Sequence, residues 1–284
     1  MVSYRTISQL NKNNYRRWLS NPRYYVIFSL IGVWIHFLVT PVVSFSQEVG
    51  VRVTPWIFPF LQSRWYPGMV IALGVVLLYC DAPFMNSCTP YEYIRSGRNK
   101  WVLGQLTYVV SSSIVYGMSL FFISLICLLP QIELSLEWGK VLNTLAQTSA
   151  ATDRHFPIDI SYEIIQIFSP MQATLLSLFL TIMTSLFMGL IMFLFNLLFN
   201  RFGGVLAGFL LAFGPAFVGA IQLPFLYYCI PTTWLSLVNL DLRGKSGFPS
   251  LEYVVIYYTL MVLLLSTVIF HVLKKREIKI LLPV

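Results

Sequence analysis

A run of 39 residues without a charged side chain, 202–240, constrains the fold of this chain most. As one straight α-helix the run would be about 58 Å long, roughly twice the thickness of the hydrocarbon core of a bilayer. It must therefore bend or fold back, and Pro215, Pro224 and Pro231 are where a helix can break. We predict one spanning helix followed by a re-entrant segment from Pro224 to Leu240.

The same apolar character extends along the whole chain. Its 284 residues are 57% hydrophobic and 11% charged, with a mean hydropathy of +0.73. A soluble domain carries about 25% charged residues, whereas helices in lipid satisfy their own backbone hydrogen bonds. We predict an all-α polytopic membrane protein with six transmembrane helices. The other five spans are Tyr24–Phe45, Pro67–Cys80, one within Trp101–Ile132, Met171–Phe199 and Tyr253–Leu273.

The distribution of charge predicts the orientation of these helices. With six spans, segments on the N-terminal side hold 13 basic residues and those on the other side hold six, while the acids divide three to eight. Basic residues favour the cytoplasmic side, so both termini are predicted there, in the plasma membrane. Loop 81–100 is then cytoplasmic and loop 131–163 extracellular. The net charge of +8 is assigned to contacts with membrane lipids, not to nucleic acid.

Residues 1–23 form a separate basic segment before the membrane domain, 24–284. They contain five basic residues and no acid, and one side of a helical wheel holds Ile7, Leu10, Tyr15, Trp18 and Leu19. This pattern predicts an amphipathic helix at the cytoplasmic interface, ending near Asn21-Pro22. A solvated basic tail is the alternative.

Loop 81–100 carries the signals of a short cytoplasmic helix. Thr89-Pro90 is a favourable N-cap and first-turn pair, and Gly97 can end the helix. The helix would present Tyr91, Tyr93, Ile94 and Arg95 to a soluble partner. An ordinary basic loop at the lipid surface is the alternative.

Polar residues within the apolar runs are candidates for a transport pathway. His36, Ser112 and Thr184 are the candidate pathway-lining residues, although each is equally compatible with a hydrogen bond inside the bundle. Asp81 is a candidate inner gate, paired with Arg95 or Arg98, or else a helix cap at the interface.

Motifs for chemistry are missing from the sequence. It has no H-E-x-x-H, no G-x-S-x-G and no Cys/His spacing typical of a metal site. It also has no ATP-binding motif. We therefore predict no catalytic, cofactor-binding or metal-binding residues in this chain.

Three stretches give the chain a family resemblance: Asp81-Ala82-Pro83-Phe84, the segment from Tyr93 to Trp101, and Pro231-Thr232-Thr233-Trp234 before the last span. Together with the six-span layout, they resemble the permease subunit of ABC-2 type transporters, particularly those of Gram-positive bacteria. The resemblance implies an exporter of an amphipathic or apolar substrate such as a peptide, lipid or drug-like molecule. The acidic loop 131–163 departs from it, being larger than that family generally needs.

The resemblance also implies partners and residue roles. Separate ABC ATPase subunits would hold ATP and Mg, and a second permease subunit would complete a homodimer or related heterodimer. Residues 1–23 would be a connecting helix, and the coupling helix would contact the ATPase through Pro90, Tyr91, Tyr93, Ile94 and Arg95. The alternatives are a stand-alone membrane enzyme or immunity protein, and an ion-coupled secondary transporter.

Overall fold

The structure is a computed structural model that describes residues 2–84, 89–221, 223–244 and 247–275. The regular secondary structure of these residues is helical apart from two isolated β-bridges. Five helical stretches are long and apolar enough to cross a membrane, and one further apolar helix is shorter. The prediction of an all-α, multi-pass membrane protein is confirmed at this level.

The chain begins with two helices separated at the predicted break. Helix α1 is Val2–Ser20 and α2 is Pro22–Val49. The side chain of Asn21 caps α2 by accepting a hydrogen bond of 3.0 Å from the backbone N–H of Arg23. Helix α2 extends past the predicted end at Phe45, because the polar residues that follow continue the helix until Gly50 ends it.

Helix α3, Trp65–Tyr79, is the short apolar helix. Its 15 residues correspond to about 22 Å, less than the roughly 30 Å of a hydrocarbon core. A buried turn at Phe58–Phe60 lies just before it. The chain thus enters α3 from within the folded protein.

The predicted short helix between the second and third apolar segments is present. Helix α4 is Thr89–Ser96, and Gly97 separates it from α5, Arg98–Leu128. Gly97 has a φ of 78°, which favours glycine because no Cβ is present to clash. A 3₁₀ turn at Leu129–Gln131, which contains Pro130, ends the long helix.

Helix α9, Pro170–Ile221, is one continuous helical assignment, but it doubles back on itself. A Cβ added to Gly208 would lie 2.8 Å from the Sδ of Met192, whereas 16 residues of straight helix would separate them by about 24 Å. The first limb is Pro170–Phe199 and the second limb is Phe202–Ile221. These limbs are the predicted fourth and fifth apolar segments. Gly204 and Gly208, spaced as Gly-x-x-x-Gly on the second limb, let the two approach closely.

The apolar helices alternate in direction. The last one, α11, is Leu251–Lys275, and the Nε of Arg98 donates a hydrogen bond of 2.9 Å to the carbonyl of Leu273. Helix α11 therefore finishes beside the start of α5. Both ends of the described chain lie at this end of the bundle, which we name the α4 end.

Residues 51–64 and 131–168 fold together at the opposite end into a structure that we name the cap. Val53 bridges Ile132, and the hydroxyl of Thr54 donates a hydrogen bond of 2.8 Å to the carbonyl of Trp138. Its helices are α6, Gly139–Gln147, α7, Ala150–Asp153, and α8, Tyr162–Ile167. The cap has buried apolar side chains of its own: Ile57, Phe60, Trp138, Leu142, Leu145, Phe156, Ile158 and Ile164.

Three ion pairs hold the cap in place. Arg64–Asp159, at 2.6 Å, joins its two parts, Arg154–Glu48 joins it to α2, and Arg243–Glu163, at 3.2 Å, joins it to the chain before α11. The hydrogen-bonded carboxylate of Asp159 raises the pKa of the Arg64 guanidinium. The segment 131–163, treated as a loop from the sequence, is thus a folded unit joined to α2, α3 and the chain before α11.

The segment after α9 folds back along the second limb. It comprises α10, Leu226–Cys229, followed by 3₁₀ turns that include Pro231–Leu235. The hydroxyl of Thr232 donates a hydrogen bond of 2.7 Å to the carbonyl of Leu211, about 15 Å back along the helix from its end at Ile221. The fully buried Trp234 packs against three tyrosine rings of α11: Tyr253, Tyr257 and Tyr258.

Candidate functional site

Helix α4 exposes a small apolar and basic surface, which we name the α4 face. Tyr91 is 76% exposed, Ile94 is 80% exposed, and Arg95 is exposed beside them. Residues three and four apart lie on the same side of a helix, so these three side chains form one surface. Large apolar side chains exposed outside the spanning segments mark a surface that contacts another molecule.

The opposite side of α4 is anchored to the protein. The carboxylate of Glu92 accepts a hydrogen bond of 3.1 Å from Asn13 and lies 3.8 Å from Arg17, both on α1. The ring of Tyr93 packs edge-on against Trp101 of α5. Tyr93 therefore faces inward, and Pro90 is half-buried. Of the five predicted coupling residues, Tyr91, Ile94 and Arg95 form the exposed surface.

Helix α1 packs across the first turns of α5. A Cβ added to Gly104 would lie 2.9 Å from the Cδ1 of Leu10, so only glycine leaves room for this contact. Polar pairs also join the helices, among them Asn14–Gln105 at 3.3 Å, Tyr15–Ser111 at 3.0 Å and Trp18–Tyr108 at 2.6 Å. Burial raises the pKa of Tyr15, opposed by its hydrogen bond with Ser111. Leu10, Tyr15 and Trp18 of α1 thus face α5.

The chain just after α3 is fixed by two arginines. Arg23 of α2 forms an ion pair with Asp81, and Arg17 of α1 donates to the carbonyl of Phe84. The structure thus pairs Asp81 with Arg23 instead of Arg95 or Arg98. Its carboxylate joins α2 to the chain that leads toward α4.

Asn196, which the sequence reasoning did not single out, joins three parts of the α4 end. Its Nδ2 donates to the carbonyls of Ala82 at 2.8 Å and Cys80 at 3.3 Å. Its Oδ1 accepts a hydrogen bond of 3.0 Å from the backbone N–H of Gly204. The side chain is buried near the end of the first limb. A lone amide within an otherwise apolar span was the available signal, because such groups find partners.

The predicted pathway residues have separate structural partners. His36 is exposed on α2, where its carbonyl accepts a hydrogen bond of 2.7 Å from Thr40. Ser112 is buried and lies 2.8 Å from the hydroxyl of Tyr79. Thr184 is buried and lies 2.6 Å from the hydroxyl of Tyr258. Ser112 and Thr184 therefore form contacts between helices in this conformation.

Neither the metal-ligating side chains nor comparisons with known proteins identify the function of this chain. Across the described ranges, no three His, Cys, Asp or Glu side chains are grouped so that they could hold a metal ion. Within the described ranges Cys127 and Cys229 are free thiols, the Sγ of Cys80 accepts a hydrogen bond of 3.0 Å from Arg23, and Cys88 lies outside these ranges. A scan against protein-family models and searches of curated proteins and solved structures each found no match.

Proposed function

We propose that this chain is the membrane-spanning subunit of an ATP-powered exporter of the ABC-2 type, which moves an amphipathic or apolar substrate. The observation that carries the proposal is the α4 face. Tyr91, Ile94 and Arg95 are exposed together at the end of the bundle, on a helix anchored from behind by Glu92 and Tyr93. A surface of this kind suits contact with a soluble partner, and we assign that partner as a separate ABC ATPase.

In this proposal the bundle crosses the plasma membrane six times, with α3 as the short second span. Helix α4 and both termini lie in the cytoplasm, as the basic residues favour, and the cap lies outside. The segment Pro224–Leu240 is then a re-entrant element on the outer side. Irregular backbone of this type is tolerated where protein surrounds it, and Trp234 is fully buried among aromatic rings.

In this proposal the hydrogen bonds at the α4 end transmit a movement of α4 to the other helices of the bundle. ATP and Mg bound to the partner would drive two ATPase subunits together and push α4 in each of two permease subunits. Glu92 links α4 to α1, and α1 is packed on α5. Asn196 links the chain after α3 to both limbs of α9. A push on α4 would thus tilt α5 and α9 together, because packed helices move as units.

Co-purification with any ABC ATPase encoded beside this gene tests the proposal. The double variant Tyr91→Ala/Ile94→Ala should weaken association and substrate-stimulated ATP hydrolysis by roughly tenfold or more, since central aromatic contacts carry much of an interface's energy. Tyr4→Ala is the matched control, because Tyr4 is also an exposed aromatic residue, at 85%, on α1.

Three outcomes would overturn the proposal. The first is the absence of any associating ATPase. The second is activity of this chain alone, which would favour a membrane enzyme or immunity protein. The third is substrate flux that follows an ion gradient, which would favour a secondary transporter.

A further inference from the structure

An apolar groove of about 560 Å³ lies between the cap and the adjoining end of α5. One side is formed by Phe121, Phe122 and Ile126 of α5, and the other by Leu134 and Leu136 of the cap. Small-molecule sites typically enclose about 300–1,000 Å³. The groove therefore has the size of a site for a small molecule.

The cap side of this groove is held in place by backbone contacts. The indole N–H of Trp56 donates a hydrogen bond of 2.7 Å to the carbonyl of Ser135. The backbone N–H of Glu133 donates a hydrogen bond of 2.8 Å to the carbonyl of Val53. Between these contacts Leu134 is 87% exposed, and Leu136, just beyond them, is 80% exposed. A fixed segment that keeps two leucines exposed indicates a surface that another molecule covers.

Two carboxylates flank these leucines in the chain. Glu133 precedes Leu134, and Glu137 follows Leu136, and both acids are exposed. Within the part of the chain that the structure describes, neither forms an ion pair, although the basic residues Arg52 and Lys140 are near in sequence. Other acids around the cap do pair with arginine: Glu48, Asp159 and Glu163. The groove thus has apolar walls, and the two carboxylates belong to residues that adjoin its lining directly in the chain.

We propose that this groove binds a small cationic amphiphile, with its tail against Phe122 and Leu134 and its ammonium group near Glu133 and Glu137. An anionic phospholipid fits less well, because its net negative charge would approach two carboxylates of like charge. As a statement about the exported substrate, this inference rests on the proposed function. Binding to the groove itself requires no ATPase.

Photolabelling of the full chain in nanodiscs of zwitterionic lipid tests the binding. The probe is dodecylammonium with a diazirine in its tail, compared with the neutral alcohol carrying the same tail. Labelled peptides are identified by mass spectrometry. We expect the ammonium probe to label residues 121–136 about fivefold or more above the alcohol, since one close charge pair in water contributes about this factor.

Paired variants separate the two parts of the site. Glu133→Gln/Glu137→Gln should reduce labelling by the ammonium probe to that of the alcohol, whereas Glu252→Gln, an exposed acid on α11, should leave it unchanged. Leu134→Ser/Leu136→Ser should reduce labelling by both probes. These side chains are largely exposed, so the substitutions leave the fold intact.

The results distinguish this inference from the proposed function. Equal labelling by the two probes, or labelling confined to other surfaces, would overturn the inference and leave the association with an ATPase standing. Charge-dependent labelling without an associating ATPase would support the site and overturn the exporter.

Discussion

A single polar side chain connects several elements at the α4 end. Asn196 makes three hydrogen bonds from one buried amide, two as donor and one as acceptor. A side-chain amide can act in both ways at once, with two N–H donors and a carbonyl acceptor. The amide holds Ala82 and Gly204 together, although these residues belong to different parts of the chain. This position therefore contributes to stability, and in the proposed exporter also to coupling.

Asn196→Ala should lower the free energy of unfolding by about 2 kcal/mol, because each hydrogen bond between membrane helices contributes about 0.6–1 kcal/mol. Chemical unfolding in mixed micelles measures the change. Asn239→Ala is the control, since Asn239 donates one hydrogen bond of 2.9 Å to the carbonyl of Thr233. A loss at Asn196 no larger than that at Asn239 would show that its three bonds do not act together.

At the scale of elements, α1 lies at the surface of the protein and is also docked against α5 and α4. Its polar residues bond to α5 and α4, and its Leu10 lies over Gly104 of α5. The helical wheel predicted an apolar side but could not show that this side packs on α5 at Gly104, because nothing in the sequence relates residues so far apart. Leu19, which the same wheel placed on the apolar side, is 76% exposed.

Gly104→Leu should undock α1 from α5. An added Cβ would already lie 2.9 Å from Leu10, and overpacking of this kind costs about 1–3 kcal/mol, enough to accelerate amide exchange in α1 by roughly tenfold or more. Hydrogen exchange measured by mass spectrometry reports this change. Gly32→Leu is the matched control, because a Cβ there would have no neighbour within 4 Å. Equal exchange in the two variants would argue against docking through this contact.

For the whole molecule, the structure places the α4 end and the cap at opposite ends of the bundle. In the proposed topology these ends lie on opposite sides of the membrane. Gln9, Arg95 and Lys140 are exposed, and Lys140 lies in the cap. A cysteine introduced at each of these positions therefore reports on which side of the membrane that position lies.

In a background with all four native cysteines replaced by serine, only Lys140→Cys should react with an impermeant maleimide added to intact cells. Gln9→Cys and Arg95→Cys should react only after permeabilisation. Reaction of Arg95→Cys and Lys140→Cys from the same side would mean that α5 does not cross the membrane.

The sequence predicted the elements better than their contacts. Apolar runs predicted the helices, and local backbone signals predicted the breaks at Asn21-Pro22 and Gly97. The core of the cap was missed because its apolar residues are scattered among polar ones without a long run. The Arg23–Asp81 pair was missed because its partners are 58 residues apart, and spacing along a chain carries no information about such distant pairs.

The cap also implies an order of assembly during synthesis. Its parts come from residues 51–64 and 131–168, and Arg243 reaches back 77 residues to donate a hydrogen bond to Gln166. Contacts between distant parts of a chain form late, because a long loop must close first. The contacts of Arg243 with Glu163 and Gln166 can therefore form only after both limbs of α9 have been made and placed. A conformation-specific antibody against the surface that these contacts create would recognise only chains whose α9 had been inserted.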